Sequence, residues 1–398
     1  MSDISVLGIF VADISFSGPK IPAIGETILG NKYNVGPGGK GCNQAVAIAR
    51  LGAKVNFISK IGKDSYGELA LNTLTKNKIN TESVIQDENL QTGVAGILVD
   101  KNSGKNAINV IVGAPSALKV AEIDKYIDII KNSKIFLTQL EIPKDVTLHC
   151  LKIAKENGCL TILNPAPASE ITKEFYSNID YFTPNETEAE FYTGIKITNE
   201  KEAKQAADKL INLGIKKVII TLGEKGLFYS DGKEEIYLKA TSVKAIDTTG
   251  AGDAFNGGLA FGLSKEKSIK ECLELANKVA GLSTTKLGAG DAMLAYATLT
   301  FLKTKNMAFK MRGSPMERNF GKDIDSKRAQ KRRARLAKKG KLVASESLTP
   351  TDKEGVYEIS TSGMPVFATD PKRKVINPVG GSSTQYKITK KGKIKKEV

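Results

Sequence analysis

Two glycine-rich stretches carry the residues that could do chemistry. The first is Asp247-Thr248-Thr249-Gly250-Ala251-Gly252-Asp253, continued by Ala254-Phe255-Asn256-Gly257-Gly258. A glycine-rich turn that enters a helix leaves backbone N–H groups aimed at one spot, and the helix dipole reinforces them. Gly250, Ala251 and Gly252 would form such an anion hole. An aspartate beside it, Asp253, could take a proton from a hydroxyl while the hole stabilises a phosphoryl group under attack. An aspartate near a helix start is common as a mere cap. Here it is joined to three small residues and then to a close-packing Asn-Gly-Gly. The string recurs as Gly288-Ala289-Gly290-Asp291, but without the preceding Asp-x-Thr, so Asp291 is not read as the base.

The second stretch is Gly36-Pro37-Gly38-Gly39-Lys40-Gly41-Cys42-Asn43-Gln44-Ala45. Its spacing Gly36-x-Gly38-x-x-Gly41 matches a dinucleotide fingerprint formally, but the turn does not follow the first core strand directly, as that motif requires. Nor does a Gly-Lys-Ser/Thr occur here. Glycines let backbone approach a ligand closely, and Lys40 and Asn43 then offer polar groups suited to hydroxyls. The bland alternative is a glycine turn before a helix. His149, the one histidine, falls in a helical pattern and reads as structural, and Cys42 reads as a small packed residue.

The elements that must position these groups alternate. Short apolar runs at 4–10, 55–61, 134–140, 160–163 and 217–222 read as buried parallel strands. Helical patterns at 43–51, 68–77, 145–156 and 200–213 lie among them. This order predicts an α/β fold, a mostly parallel sheet covered on both faces. Residues 26–35 and 93–112 look like strands without intervening helices and predict a small β-sheet lid.

The chain has 398 residues and is 41% hydrophobic, enough for a large core. Its formal charge of +16 suggests nucleic acid at first sight. Residues 307–398 hold 23 Lys+Arg against 9 Asp+Glu, a net of +14, so the rest is close to neutral. After residue 302 apolar residues thin out, and basic runs such as Lys331-Arg332-Arg333 appear. Disorder or local helix is expected there, with nonspecific polyanion binding as its simplest use and a nucleic-acid-binding protein that uses this tail as the alternative to an enzyme. Met307 opens a stretch that reads like the start of a separate small basic protein. The tail 303–398 is thus either a low-complexity extension or a fused reading frame. The four cysteines are scattered, without a C-x-x-C pair, and no long apolar span occurs. A cytoplasmic protein without membrane contact is expected.

Both glycine motifs, in order, together with Gln139-Leu140-Glu141, Asn164-Pro165-Ala166-Pro167-Ala168, Asn185-Glu186-Thr187-Glu188-Ala189-Glu190 and Thr221-Leu222-Gly223, resemble the ribokinase branch of the PfkB carbohydrate kinase family. The resemblance covers nearly all of 1–290. It implies a three-layer α/β/α sandwich over 1–302, with lid strands near 13–36 and 92–114, often joining two copies as a homodimer. It also implies ATP-dependent phosphorylation of a pentose, ribose at O5 before 2-deoxyribose or a nucleoside, with Mg²⁺ and K⁺. The sugar would meet Val11, Ala12, Asp13, Gly38, Gly39, Lys40, Gly41, Asn43 and Glu141, with Asp253 as base. Asn185, Glu188, Thr221, Gly223, Gly226, Gly252 and Asn277 would serve ATP, Glu188 through the magnesium shell. Asp247, Thr249, Ser283, Lys286 and Gly288 match the potassium ligands. Two positions depart from the family: Val11 stands where an Asn is common, and Ala292 where a Ser is usual.

Overall fold

The computed structural model describes residues 3–285 and the segments 348–350, 356–359, 384–388 and 394–396. The chain divides into two compact units, Met1–Thr304 and Lys305–Val398. In the first, β1 (Ile4–Leu7) leads to β2 (Val11–Gly18), β3 (Lys32–Gly38), α1 (Lys40–Leu51) and β4 (Val55–Gly62). Helix α2 (Ser65–Lys76) precedes β5 (Val84–Asp87), β6 (Thr92–Asp100) and β7 (Asn106–Gly113). Short helices α3 (Val120–Ile123) and α4 (Ile127–Lys131) come before β8 (Ile135–Thr138), α5 (Lys144–Glu156) and β9 (Leu160–Leu163). Then follow α6 (Lys173–Ser177), β10 (Tyr181–Phe182), α7 (Glu186–Thr193), α8 (Glu200–Asn212) and β11 (Lys217–Thr221). The hairpin β12 (Leu227–Ser230) and β13 (Glu235–Leu238) precedes α9 (Ala251–Ser264) and α10 (Ile269–Ser283).

Nine strands form the main sheet in the order β13-β12-β11-β10-β9-β8-β1-β4-β5. All are parallel except the edge hairpin β12–β13. Side chains alternate across it, as strand geometry demands. Ile135, Leu137 and Ile219 enter one apolar layer with α1, α9 and α10, while Phe136, Val218 and Ile220 enter the other with α5 and α8. The three-layer architecture expected from the alternation is therefore present. Gly257 and Gly258 let α9 lie close to α1 and α10: a Cβ on Gly257 would fall 2.5 Å from the Cβ of Ala47, and one on Gly258 2.9 Å from the Cα of Ala276.

The small sheet has the order β3-β2-β6-β7. Its strands differ from the expected runs. Strand β1 ends at Leu7, and the chain enters the small sheet at Val11 rather than continuing to residue 10 as core strand. The expected strand at 26–35 is instead Lys32–Gly38, with residues 26–31 outside any strand. The run 93–112 is two strands, split by a turn in which the Asp100 carboxylate accepts from the amides of Asn102 and Ser103. In the second unit, β14 (Leu348–Pro350), β15 (Val356–Ile359), β16 (Thr384–Ile388) and β17 (Ile394–Lys396) pair antiparallel in that order. The sparse apolar content there gave no expectation of strands.

Candidate active site

The parallel strands place their carboxyl ends together, and the candidate residues sit just beyond them, where open α/β sheets hold ligands. Gln139 follows β8, Asn164 follows β9 and Thr183 follows β10. Helices α1 and α9 point their first turns at the same region.

Helix α9 begins after Gly250, whose φ of 76° is left-handed and suits glycine. No side chain caps this helix start. Of its first-turn amides, that of Ala251 donates to the Thr248 carbonyl at 3.2 Å, while that of Gly252 meets no capping side chain, the situation in which a helix N-terminus becomes an anion site. Asp253 lies in this first turn and is only 6% exposed. Asn43 Nδ2 donates to its Oδ2 at 3.0 Å, and Gln44 Nε2 donates to its Oδ1 at 3.0 Å. The motif residues 43–44 and 253 are therefore one constellation. Asn43 was expected on the sugar. Its Nδ2 holds Asp253, and its buried Oδ1 has no hydrogen-bond partner.

Asp13, Lys40 and Glu141 surround the carboxylate. The Lys40 amide donates to Glu141 Oε2 at 3.1 Å. Burial pulls the Lys40 ammonium down, but Asp253, Glu141 and Glu188 outweigh it and hold it above the ordinary lysine range. Burial, with Asp253 and Asp13 adding, pushes Glu141 up to about 7 against the pull of Lys40. Burial and the charge of Asp253 raise Asp13 to about 6. The glycines act by absence of a side chain. A Cβ on Gly38 would collide with the Asp13 carboxylate, and one on Gly39 with the Ile9 carbonyl. Gly41 lies against Gly8, where a Cβ on either would come 2.6 Å from the other's Cα. Val11 and Ala12 are buried in β2, and Val11 packs in the apolar cluster of Ile9, Ile58 and Ala95.

Among the residues expected to serve ATP, Asn185 caps α7 and Glu188 returns the bond: Glu188 N donates to Asn185 Oδ1 at 2.8 Å, and Asn185 N to Glu188 Oε2 at 2.9 Å. Burial raises Glu188 above the ordinary glutamate range. Thr221 N donates to the Pro184 carbonyl, which brings Thr221 beside Asn185. Gly223 and Gly226 both have positive φ, 52° and 113°. Asn277 on α10 donates from Nδ2 to the Lys239 carbonyl at 2.7 Å. Of the potassium set, Asp247 accepts from the Thr249 amide at 2.9 Å, and the amides of Ile246 and Asp247 both donate to the Thr284 carbonyl, next to Ser283. Lys286 and Gly288, with Asp291 and Ala292, lie outside the described residues.

Gln44, Gln139, Asn164, Thr183 and Asn256 gave no sequence expectation as site residues. They form a buried chain of hydrogen bonds that ends on Asp253 and on the carbonyl of Gly252. For Gln44, Gln139, Asn164 and Asn256, presence inside the quoted motifs was the available signal, and Thr183 had none. His149 meets Asp124 at 2.8 Å, away from these groups, as its structural reading requires.

Residues 1–295 match the pfkB family carbohydrate kinase. A ribokinase of Haemophilus influenzae is 42% identical over 301 residues, covering 75% of this chain and 98% of that protein. A deoxyribokinase of Salmonella typhi is 34% identical over 287 residues, covering 72% and 94%. Among solved structures, the Arabidopsis thaliana ribokinase complexed with ribose and ATP has a TM-score of 0.72 and 31% identity, over 76% of this chain and 98% of that one. The Thermotoga maritima ribokinase has a TM-score of 0.70 and 38% identity, over 76% and 100%.

Proposed function

This chain belongs to the pfkB family of carbohydrate kinases, and from that premise we propose that it phosphorylates D-ribose at O5 with ATP. The observation that carries the reading is Asp253: a buried carboxylate, both oxygens held, at the uncapped start of α9. Asp253 takes the O5 proton as the oxygen lone pair bonds to the γ-phosphorus. The bond from that phosphorus to the β–γ bridging oxygen breaks, and its electrons leave with ADP. The first-turn amides of α9 face the charge on the transferring group. Lys40 supplies a positive charge nearby, and Asp13, Glu141 and Asn43 Oδ1 offer acceptors for sugar hydroxyls. Glu188 would orient the shell of a magnesium ion, whose charge would offset that of the nucleotide phosphates. Asp247, Thr249 and Ser283 are the described residues of a potassium site that would steady the anion hole.

A second reading is 2-deoxyribose. It rests on Val11, an apolar residue on the same face of β2 as Asp13, and the deoxyribokinase of Salmonella typhi is a relative. Release of ADP across a panel of sugars and nucleosides tests both readings: ribose turning over no faster than the other sugars would overturn the first.

The remaining assignments have narrower supports. Phe16, Tyr33, Val35 and Ile111 are exposed and share the face of the small sheet opposite Asp13, which suits a homodimer through the lid. Four buried free cysteines suit a reducing, cytoplasmic setting. No helix among the described residues is long and apolar enough to cross a membrane. The basic tail 303–398 would add nonspecific polyanion binding and nothing to catalysis. Truncation to 1–303 should then keep kinase activity and lose any retention on polyanions.

A further inference from the structure

The carboxamide of Gln44 sits at the centre of the buried chain of bonds, fully shielded from solvent. Its Nε2 donates both to Asp253 Oδ1 at 3.0 Å and to Asn164 Oδ1 at 3.2 Å. Its Oε1 accepts from Gln139 Nε2 at 2.5 Å. A carboxylate can only accept, so the end of Gln44 that faces Asp253 must be the NH₂. On the far side the Gln44 oxygen then meets Gln139 Nε2, the Gln139 oxygen itself having no hydrogen-bond partner. Asn164 is fixed in turn by donating from Nδ2 to the Thr183 carbonyl at 3.1 Å. The hydroxyl of Thr183 donates to Asn256 Oδ1 at 2.7 Å, and Asn256 Nδ2 donates to the Gly252 carbonyl at 2.9 Å. The chain thus grips the first turn of α9 at two points, the Asp253 carboxylate and the Gly252 carbonyl.

We infer that Gln44 is a positioning residue for phosphoryl transfer: oriented by Asn164 and packed against Gln139, it fixes the Asp253 carboxylate in the rotamer from which that group receives the substrate proton. The inference rests on Asp253 being the base. Gln44 lies behind Asp253 and its carboxamide is satisfied by protein on every side, so it acts through Asp253 and not on the sugar. A buried amide with all its bonds made could equally serve packing alone. The two roles separate because positioning works only while Asp253 is present.

The test is a double-mutant cycle on the full chain with ribose and ATP: wild type, Gln44→Met, Asp253→Asn and the double variant. Methionine keeps the volume and removes donors and acceptor together. Loss of a hydrogen bond to a charged group predicts a fall in kcat on the order of tenfold to a hundredfold, with the KM for ribose within about threefold. In the Asp253→Asn background the same substitution should cost nothing further, because groups that act as a unit are not additive. Wild-type kcat in Gln44→Met, or equal losses in both backgrounds, would overturn the positioning role. Near-normal kcat in Asp253→Asn alone would instead sink the base assignment beneath it. Should Gln44→Met fail to melt cooperatively, Gln139→Met takes its place in the cycle. That variant leaves the buried Gln44 oxygen without its donor and loosens the side chain, so a fall of about threefold or more in kcat is expected, again absent beside Asp253→Asn.

Discussion

Asn43 and Asp253 stand 210 positions apart in the chain, and the amide of one donates to the carboxylate of the other at 3.0 Å. The residues expected to hold the sugar and the residue expected to activate it are thus mechanically joined before any ligand binds. Gln44 grips the other carboxylate oxygen from the next position on the same helix. Asp253, proposed as the base, is thus held at both carboxylate oxygens by consecutive residues of α1.

Asp253→Asn keeps the size of the side chain and removes the proton acceptor. Turnover should fall on the order of 10²–10⁴-fold. The fold should persist, with circular dichroism unchanged. A kcat close to wild type would place the base elsewhere.

The titration of Asp13 and Glu141 predicts how the ligand-free protein responds to pH. They rise from ordinary values of 3.8 and 4.5 to about 6 and about 7. Each binds its proton more tightly folded than unfolded. Stability is therefore greatest below the unfolded values and is lost as pH rises through the folded ones. The Tm should fall between about pH 4 and pH 7, and Glu141→Gln should flatten the upper part of that slope. A Tm that climbs across the window in wild type would contradict the assignment.

Val11→Asn should raise kcat/KM for ribose more than for 2-deoxyribose, because it restores an amide beside Asp13. One hydrogen bond is worth about 0.5–1.5 kcal/mol net, so the gain is roughly tenfold at most. The apolar surroundings of Val11 add a counter-effect, since a buried amide without a partner costs on the order of 1–3 kcal/mol in stability. Parallel kinetics on the two sugars decide it: equal changes would mean that Val11 only packs.

Rates in potassium should exceed those in sodium. Asp247 and Ser283 are brought next to one another through the Thr284 carbonyl, beside the loop that leads into α9. Initial rates at matched ionic strength check this, and identical rates with either ion or neither would dismiss the site.

Much of this was legible in the sequence because it is local. Strand β9 lies at its expected residues, and the core runs of β4, β8 and β11 differ from expectation only at their ends. Their apolar continuity survives without tertiary help. The path from β1 to β2 was not legible, because Ile9, Phe10 and Val11 are apolar whether the chain stays in the main sheet or leaves it. The edge hairpin β12–β13 was missed for a related reason: its glycine turn and short strands carry no signal of sheet direction. The roles of Gln44 and Asn164 were hidden most deeply. A buried glutamine and a surface glutamine look alike until the partner, 120 residues away, is brought beside it.

The close approach of Gly8 and Gly41 also bears on the protein's tolerance to change. Each backbone occupies the space a methyl group on the other would need. Relief at one position cannot come from shrinking its neighbour, since neither can be made smaller. In a saturation mutagenesis library the two positions should therefore stand out as intolerant columns with no compensating partner. The route to new sugar specificities then runs through residues such as Val11 and Asp13, around a seam between β1 and α1 that selection cannot widen.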